Sequence, residues 1–255
     1  MAQAVVGAGV VASDVRPPDR VTVTAAHTAR ITASDPRAVV LVGRIRAQFD
    51  PAVAAVTAFW GADWPREVAI EIAADDAAFA ASAGGPVSRW TGVAAVTLAD
   101  RVDPVGRVAT ARRILFAPGA AAMSDTALRT VLRHELFHYA ARADTAADAP
   151  QWLTEGVADF VARADEARDD EPTGDTAPTL PSDAELAGPG RSAAYDRAWR
   201  FACFVADRYG PPALRALYVH MAGPARQPLD AAARDVLHTD AAGLQRQWAL
   251  AGAST

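Results

Sequence analysis

Apolar and polar positions alternate over the first part of the chain and then settle into a helical rhythm. Val68, Ile70 and Ile72 alternate with Glu67, Ala69 and Glu71, a period of two that predicts a half-buried strand. Val21 to Thr24 alternates in the same way, and Ala29 to Thr32 predicts a second strand. Thr91 to Leu98 and Arg112 to Phe116 predict two more, joined by a polar turn around Asp103-Pro104 and Gly106. Pro36 to Trp60 predicts a helix interrupted near Asp50-Pro51 and ended by Gly61. A short helix opens at Asp75 and breaks at Gly84-Gly85-Pro86.

After Gly119 the pattern is almost wholly helical. The predicted helices are Ser124 to Arg142, Pro150 to Phe160, Ser192 to Tyr209, Ala213 to Met221, Asp230 to Leu237 and Ala241 to Ala249, the last capped by Thr239 or Asp240. Trp199, Phe204, Leu214, Leu217, Leu237, Leu244 and Trp248 recur at helical spacing and form the expected core. Asp165 to Arg191 is the exception, an acidic stretch with four prolines and three glycines. A segment of that kind is a lid over a site or a disordered loop. Strands first and helices later predict an α+β architecture. Its parts are a leader and linker over 1–20, an α/β subdomain over 21–118 and a helical subdomain over 119–255.

Composition narrows the class. With 255 residues, 51% hydrophobic and 22% charged, the chain can bury a real core as an ordinary globular protein. A net charge of -5 gives no basis for nucleic-acid binding. All 25 basic residues are Arg, which reads as biased coding rather than chemistry. The single cysteine, Cys203, precludes an internal disulfide, and its mid-helix position among Phe201, Ala202 and Phe204 predicts a buried inert thiol. Met1 to Ala12 is small and apolar like a weak export signal, but it lacks a charged start and is too short to span a bilayer.

The chemistry concentrates in the predicted helix Ser124 to Arg142, where His134, Glu135 and His138 stand as H-E-x-x-H. With five His and seven Glu in the chain, the pattern arises by chance with an expectation on the order of a few in a thousand. Positions four apart share a helix face, so His134 and His138 can grip one ion. Glu135 beside them is placed as a general base toward water at that ion. Ser124 suits the N-cap and Asp125 the positive helix end. Only a strip with Arg129, Arg133 and Ala140 reads as exposed, so this helix belongs in the middle of the domain.

The next predicted helix, PQWLTEGVADF, supplies a third ligand in Glu155, 17 residues after His138 and within reach of a short antiparallel return. Asp159 lies four residues further on the same face, where it can accept the second imidazole N–H of a ligand histidine. Two His, one Glu and an open fourth position form the ligand set of a catalytic zinc, although affinity alone does not separate zinc from manganese or cobalt.

HELFH followed by WLTEGVADF resembles the gluzincin metallopeptidases, and most closely the peptidase MA-like domains related to thermolysin and the M1 aminopeptidases. The resemblance covers about forty residues and implies a zincin-like fold with the active site between an N-terminal α/β layer and a C-terminal helical layer. It implies one zinc per chain held by His134, His138 and Glu155, with Glu135 as base and Asp159 supporting His134. Tyr195-Asp196-Arg197-Ala198 is similar to the Tyr-x-Lys-Gly segment of the M1 enzymes, whose Tyr stabilises the tetrahedral intermediate; here Arg and Ala replace Lys and Gly. In such folds the strand just before the first motif borders the cleft and pairs with extended substrate, a role that would fall to Arg112 to Phe116; an ordinary edge or central strand is the other reading.

The expected partner is therefore a peptide or protein substrate, cut internally, in a secreted or cell-envelope setting that such domains often share. A zinc-binding module without hydrolysis is the alternative. Of the other residues, His220 is a second candidate for the oxyanion donor or a helix-end histidine, while His27 and His238 read as surface or loop residues. Tyr195 reads equally as a packing residue, and Trp152 as core. Substrate sequence and oligomeric state are not written in these patterns.

Overall fold

The computed structural model describes residues 26–165 and 179–253. The predicted leader over 1–20 and the strand at 21–24 lie outside the described residues, as does the part of the predicted lid over 166–178.

The first element of the described residues is strand β1 (Thr28–Ala33), and after one 3-10 turn capped by Asp35 the chain runs through helix α1 (Val39–Trp60). This helix does not break at Asp50-Pro51 as predicted. Leu41, Ile45, Phe49, Ala52, Val56 and Trp60 form one uninterrupted buried stripe, and its packing along the helix Asp125–Ala141 holds the backbone helical across Pro51. Strand β2 (Glu67–Ile72) and helix α2 (Asp76–Ala83) follow, the latter N-capped by the Asp75 carboxylate.

Next come β3 (Ala95–Leu98), β4 (Arg101–Asp103), β5 (Val108–Thr110) and β6 (Arg113–Phe116). The predicted strand Thr91 to Leu98 is extended only from Ala95, because a 3-10 turn over Val87–Trp90 and a bend at Gly92, with φ of 76°, precede it. The predicted turn around Asp103 is the tip of a small β4–β5 ribbon.

The main sheet has the order β1-β2-β6-β3, with β3 alone antiparallel. Of the two readings of Arg112 to Phe116, the central strand is the one seen: β6 has partners on both sides, and the sheet edges are β1 and, next to β6, β3. Ala117 N–H donates to the Ala94 carbonyl, which sets the alternation. Val96 and Leu98 spend their main-chain groups on β6, while Ala95 and Thr97 direct theirs outward at the edge.

The two faces of the sheet differ. Val96, Leu98 and Leu115 pack with Phe79 of α2 on one side. Ile70, Ile114 and Phe116 face the larger core on the other, which continues into helices α3 (Asp125–Ala141), α4 (Gln151–Ala162), α6 (Arg191–Tyr209) and α7 (Pro211–Ala222). The short α5 (Asp183–Ala187) is closed by a Ser182–Glu185 capping box inside the stretch expected to be loop. Helices α8 (Leu229–Leu237) and α9 (Ala241–Ala253) finish the chain and contribute Leu237, Leu244 and Trp248 to the core as expected. The protein is thus α+β, with the strands among the described residues confined to the first half. No helix among the described residues is long and apolar enough to cross a membrane.

Candidate metal centre

Helix α3 presents the site because Ser124 accepts a hydrogen bond from Ala127 N–H at its start and no Gly or Pro interrupts it to Ala141. Helix α4 returns antiparallel beside it, with Arg133 paired to Asp165 at one end and His138 opposite Glu155 further down. His134 Nε2 and His138 Nε2 stand 3.1 Å apart, His134 Nε2 lies 3.3 Å from Glu155 Oε2, and His138 Nε2 lies 3.6 Å from Glu155 Oε1. No fourth His, Cys, Asp or Glu joins the group among the described residues.

These spacings can be tested against a metal. Donors about 2.05 Å from one ion at tetrahedral angles lie about 3.3 Å from one another. The three observed separations lie close to that value, although the two to Glu155 run to different carboxylate oxygens, so the residues could hold a four-coordinate ion with one position left open. The donor chemistry agrees. His134 Nδ1 stands 2.9 Å from Asp159 Oδ1, so that nitrogen's proton belongs there and Nε2 faces the other donors. Two imidazole nitrogens and a carboxylate converging on one point can hold a cation between them.

The electrostatics reflect the negative charge that Asp159 and Glu155 concentrate there. Burial pushes the His134 pKa down, but the hydrogen bonds to Asp159 and Glu155 and their charges outweigh it and hold it well above its ordinary value. Burial would raise Glu155, yet the neighbouring His138 charge and the two imidazole contacts hold its carboxyl well below the usual range.

Glu135 points from the same turn of α3 toward the sheet. The Thr97 hydroxyl lies 2.7 Å from Glu135 Oε2 and 2.9 Å from the Glu135 carbonyl oxygen, so the open-edge strand β3 fixes this carboxylate. Tyr195, in the second turn of α6, is half-buried. Burial and the charges of Glu155, Asp159 and Glu135 raise its pKa, so it keeps its proton at neutral pH and lies within the field of the centre. Its hydroxyl has no hydrogen-bond partner among the described residues.

The remaining candidates go elsewhere. His220 Nδ1 stands 2.9 Å from Gln227 Oε1, whose amide donates to Asp235, and nothing brings it to the centre. His238 is an exposed left-handed C-cap, as expected for a loop residue. His27 departs from expectation: it is 8% exposed and stacked on Trp64 at 3.7 Å between ring centroids, because the chain entering β1 tucks under the α1–β2 connection. Trp152 packs edge-on against Phe201, and Cys203 is buried, both as expected. Arg133 and Ala140 do not form an exposed strip, being 7% and 2% exposed. Helix α4 and the Asp165 carboxylate cover the first, and the surrounding core covers the second.

Gly156 and Thr97 escaped the sequence reading. A Cβ on Gly156 would lie 2.5 Å from the Ala198 carbonyl oxygen and 2.7 Å from its carbon, so this glycine lets α4 lie directly on α6. That contact sets the height of Glu155 and Asp159 against Tyr195. The available signal was a glycine inside a helix, directly after a candidate ligand. Thr97 carried no local signal, because its role depends on which strand takes the edge. Comparison with protein-family models, with curated proteins and with solved structures finds no match for this chain.

Proposed function

We propose that the chain is a zinc-dependent peptidase of the gluzincin kind with a zincin-like arrangement, cutting extended peptides internally. The observation that supports it most is the convergence of His134, His138 and Glu155, with donor separations of 3.1, 3.3 and 3.6 Å, backed by Asp159 on His134. His134, His138 and Glu155 would hold the ion, one per chain. Bound zinc would supply Lewis acidity to the scissile carbonyl and to water.

The chain's own residues do the rest. An extended peptide adds to the open edge of β3, where Ala95 and Thr97 offer main-chain donors and acceptors. The Glu135 carboxylate, held by Thr97, takes a proton from the attacking water and returns it to the departing amine. The protonated Tyr195 hydroxyl donates to the oxygen that gains negative charge. Asp159 keeps the His134 tautomer and ring orientation fixed throughout.

The test is cleavage of a mixed library of ten-residue peptides by the zinc-loaded protein, read by mass spectrometry. Internal cuts by wild type and none by zinc-loaded Glu135→Gln support the proposal. Stoichiometric zinc with no cleavage across a diverse library favours the module without hydrolysis.

A further inference from the structure

The α2 side of the sheet carries a cavity of about 360 Å³ at the start of β3. Phe79, Val87, Trp90, Val93 and Met123 give it apolar and aromatic walls, and Asp76 is the one charged residue that lines it. Trp90 is fixed in place: its indole N–H donates to the Gly84 carbonyl at 2.9 Å, and its ring meets Phe79 edge-on at 5.8 Å. The wall is preformed, as a ligand pocket requires.

The location connects this cavity to the metal centre. Thr91, Gly92, Val93 and Ala94 line it and lead straight into the open edge of β3. Arg191 at the start of α6 donates to the Thr91 carbonyl, and Tyr195 stands one turn further along that helix. Side chains of a strand added to β3 alternate between the two faces of the sheet. One set points toward α3 and Glu135. The other set points toward α2, on the face where Val96 and Leu98 meet Phe79.

At about 3.3 Å per residue, Val93 and Ala94 lie about 10–13 Å from Thr97 along the strand. A substrate side chain three or four residues from the bond beside Glu135, on the α2 face, therefore reaches the cavity. Its volume suits a large side chain, its walls suit an apolar or aromatic one, and the Asp76 carboxylate opposes an acidic one.

Building on the peptidase reading above, we propose that this cavity is a specificity pocket for one large apolar side chain of the peptide, three or four residues from the cleaved bond. The pocket selects for Phe, Leu or Met and against Glu or Asp.

The experiment uses zinc-loaded Glu135→Gln protein and fluorescently labelled ten-residue peptides that differ at one position, with Phe, Ala, Gln or Glu there. Anisotropy reads binding without turnover. The Phe peptide is expected to bind about tenfold tighter than the Ala peptide. Val87 is 47% exposed at the rim, so Val87→Trp can fill the cavity without disturbing the fold and should bring the Phe to Ala ratio near one. Asp76→Asn should reduce the preference for Gln over Glu by about three- to tenfold. A Phe to Ala ratio near one at every position, or a preference that survives Val87→Trp, overturns the pocket even where wild type cuts peptides. Failure of every peptide to bind zinc-loaded protein overturns the pocket and the peptidase reading together.

Discussion

Gly156→Ala offers a sharp test of how the centre is held. The added Cβ would sit 2.5 Å from the Ala198 carbonyl oxygen, 2.7 Å from its carbon and 3.2 Å from its Cβ. Ordinary contact begins near 3.4 Å, so α4 must move about 1 Å from α6, and the obstacle is backbone that cannot rotate away. Overpacking of this kind costs about 1–3 kcal/mol, and the better helix propensity of alanine returns about 1 kcal/mol. The net loss is up to about 2 kcal/mol, which for a chain of this size lowers Tm by up to about 4–8 °C. Metal affinity is the more sensitive reading. Glu155 precedes Gly156 directly, and donor distances tolerate only about 0.2 Å, so a displacement of half the required shift takes its oxygens out of position. Chelator competition should show at least tenfold weaker zinc binding, and differential scanning fluorimetry the lower Tm. Unchanged Tm together with unchanged affinity would refute the argument that the α4–α6 contact positions the ligand.

Three further outcomes follow from the same geometry. Asp159→Ala should weaken zinc about 10- to 100-fold by isothermal titration calorimetry while leaving the circular dichroism spectrum intact, since it removes the partner that orients His134. Thr97→Val should keep full zinc content and lower kcat about tenfold, because the Glu135 carboxylate loses a hydrogen bond that aims it. Glu185 is held at about 2 instead of 4.5, because the Ser182 N–H and hydroxyl donate to it and Arg197 pairs with it. Its folded pKa is depressed, so its contribution to α5 is complete above pH 4.5 and is lost as pH falls through about 2. A carboxyl NMR titration near 4.5 in wild type would contradict this; Ser182→Ala should move the titration upward.

The ligands were legible because a helix converts sequence spacing into geometry locally. His134 and His138 share a face by period alone, and so do Glu155 and Asp159. Residues whose roles depend on nonlocal arrangement were not legible. Arg112 to Phe116 and Thr91 to Leu98 both read as strands, yet only pairing decides that the first is interior and the second carries an edge and Thr97. Gly156 looks like a weak point in a helix until Ala198 lies against it. Pro51 reads as a break because the sequence does not reveal the length of helix that α3 supports on either side. Arg133 looked solvent-facing because a guanidinium normally is; α4 buries it and Asp165 pairs with it.

Metal content of the purified protein tests the central claim most directly. Elemental analysis after zinc reconstitution at neutral pH is to be run on wild type, Glu135→Gln and Glu155→Ala. Close to one zinc per chain is expected in the first two and loss in Glu155→Ala, since Glu155 belongs to the group that could hold the ion and Glu135 does not. No zinc in wild type, or full zinc in Glu155→Ala, would contradict the claim.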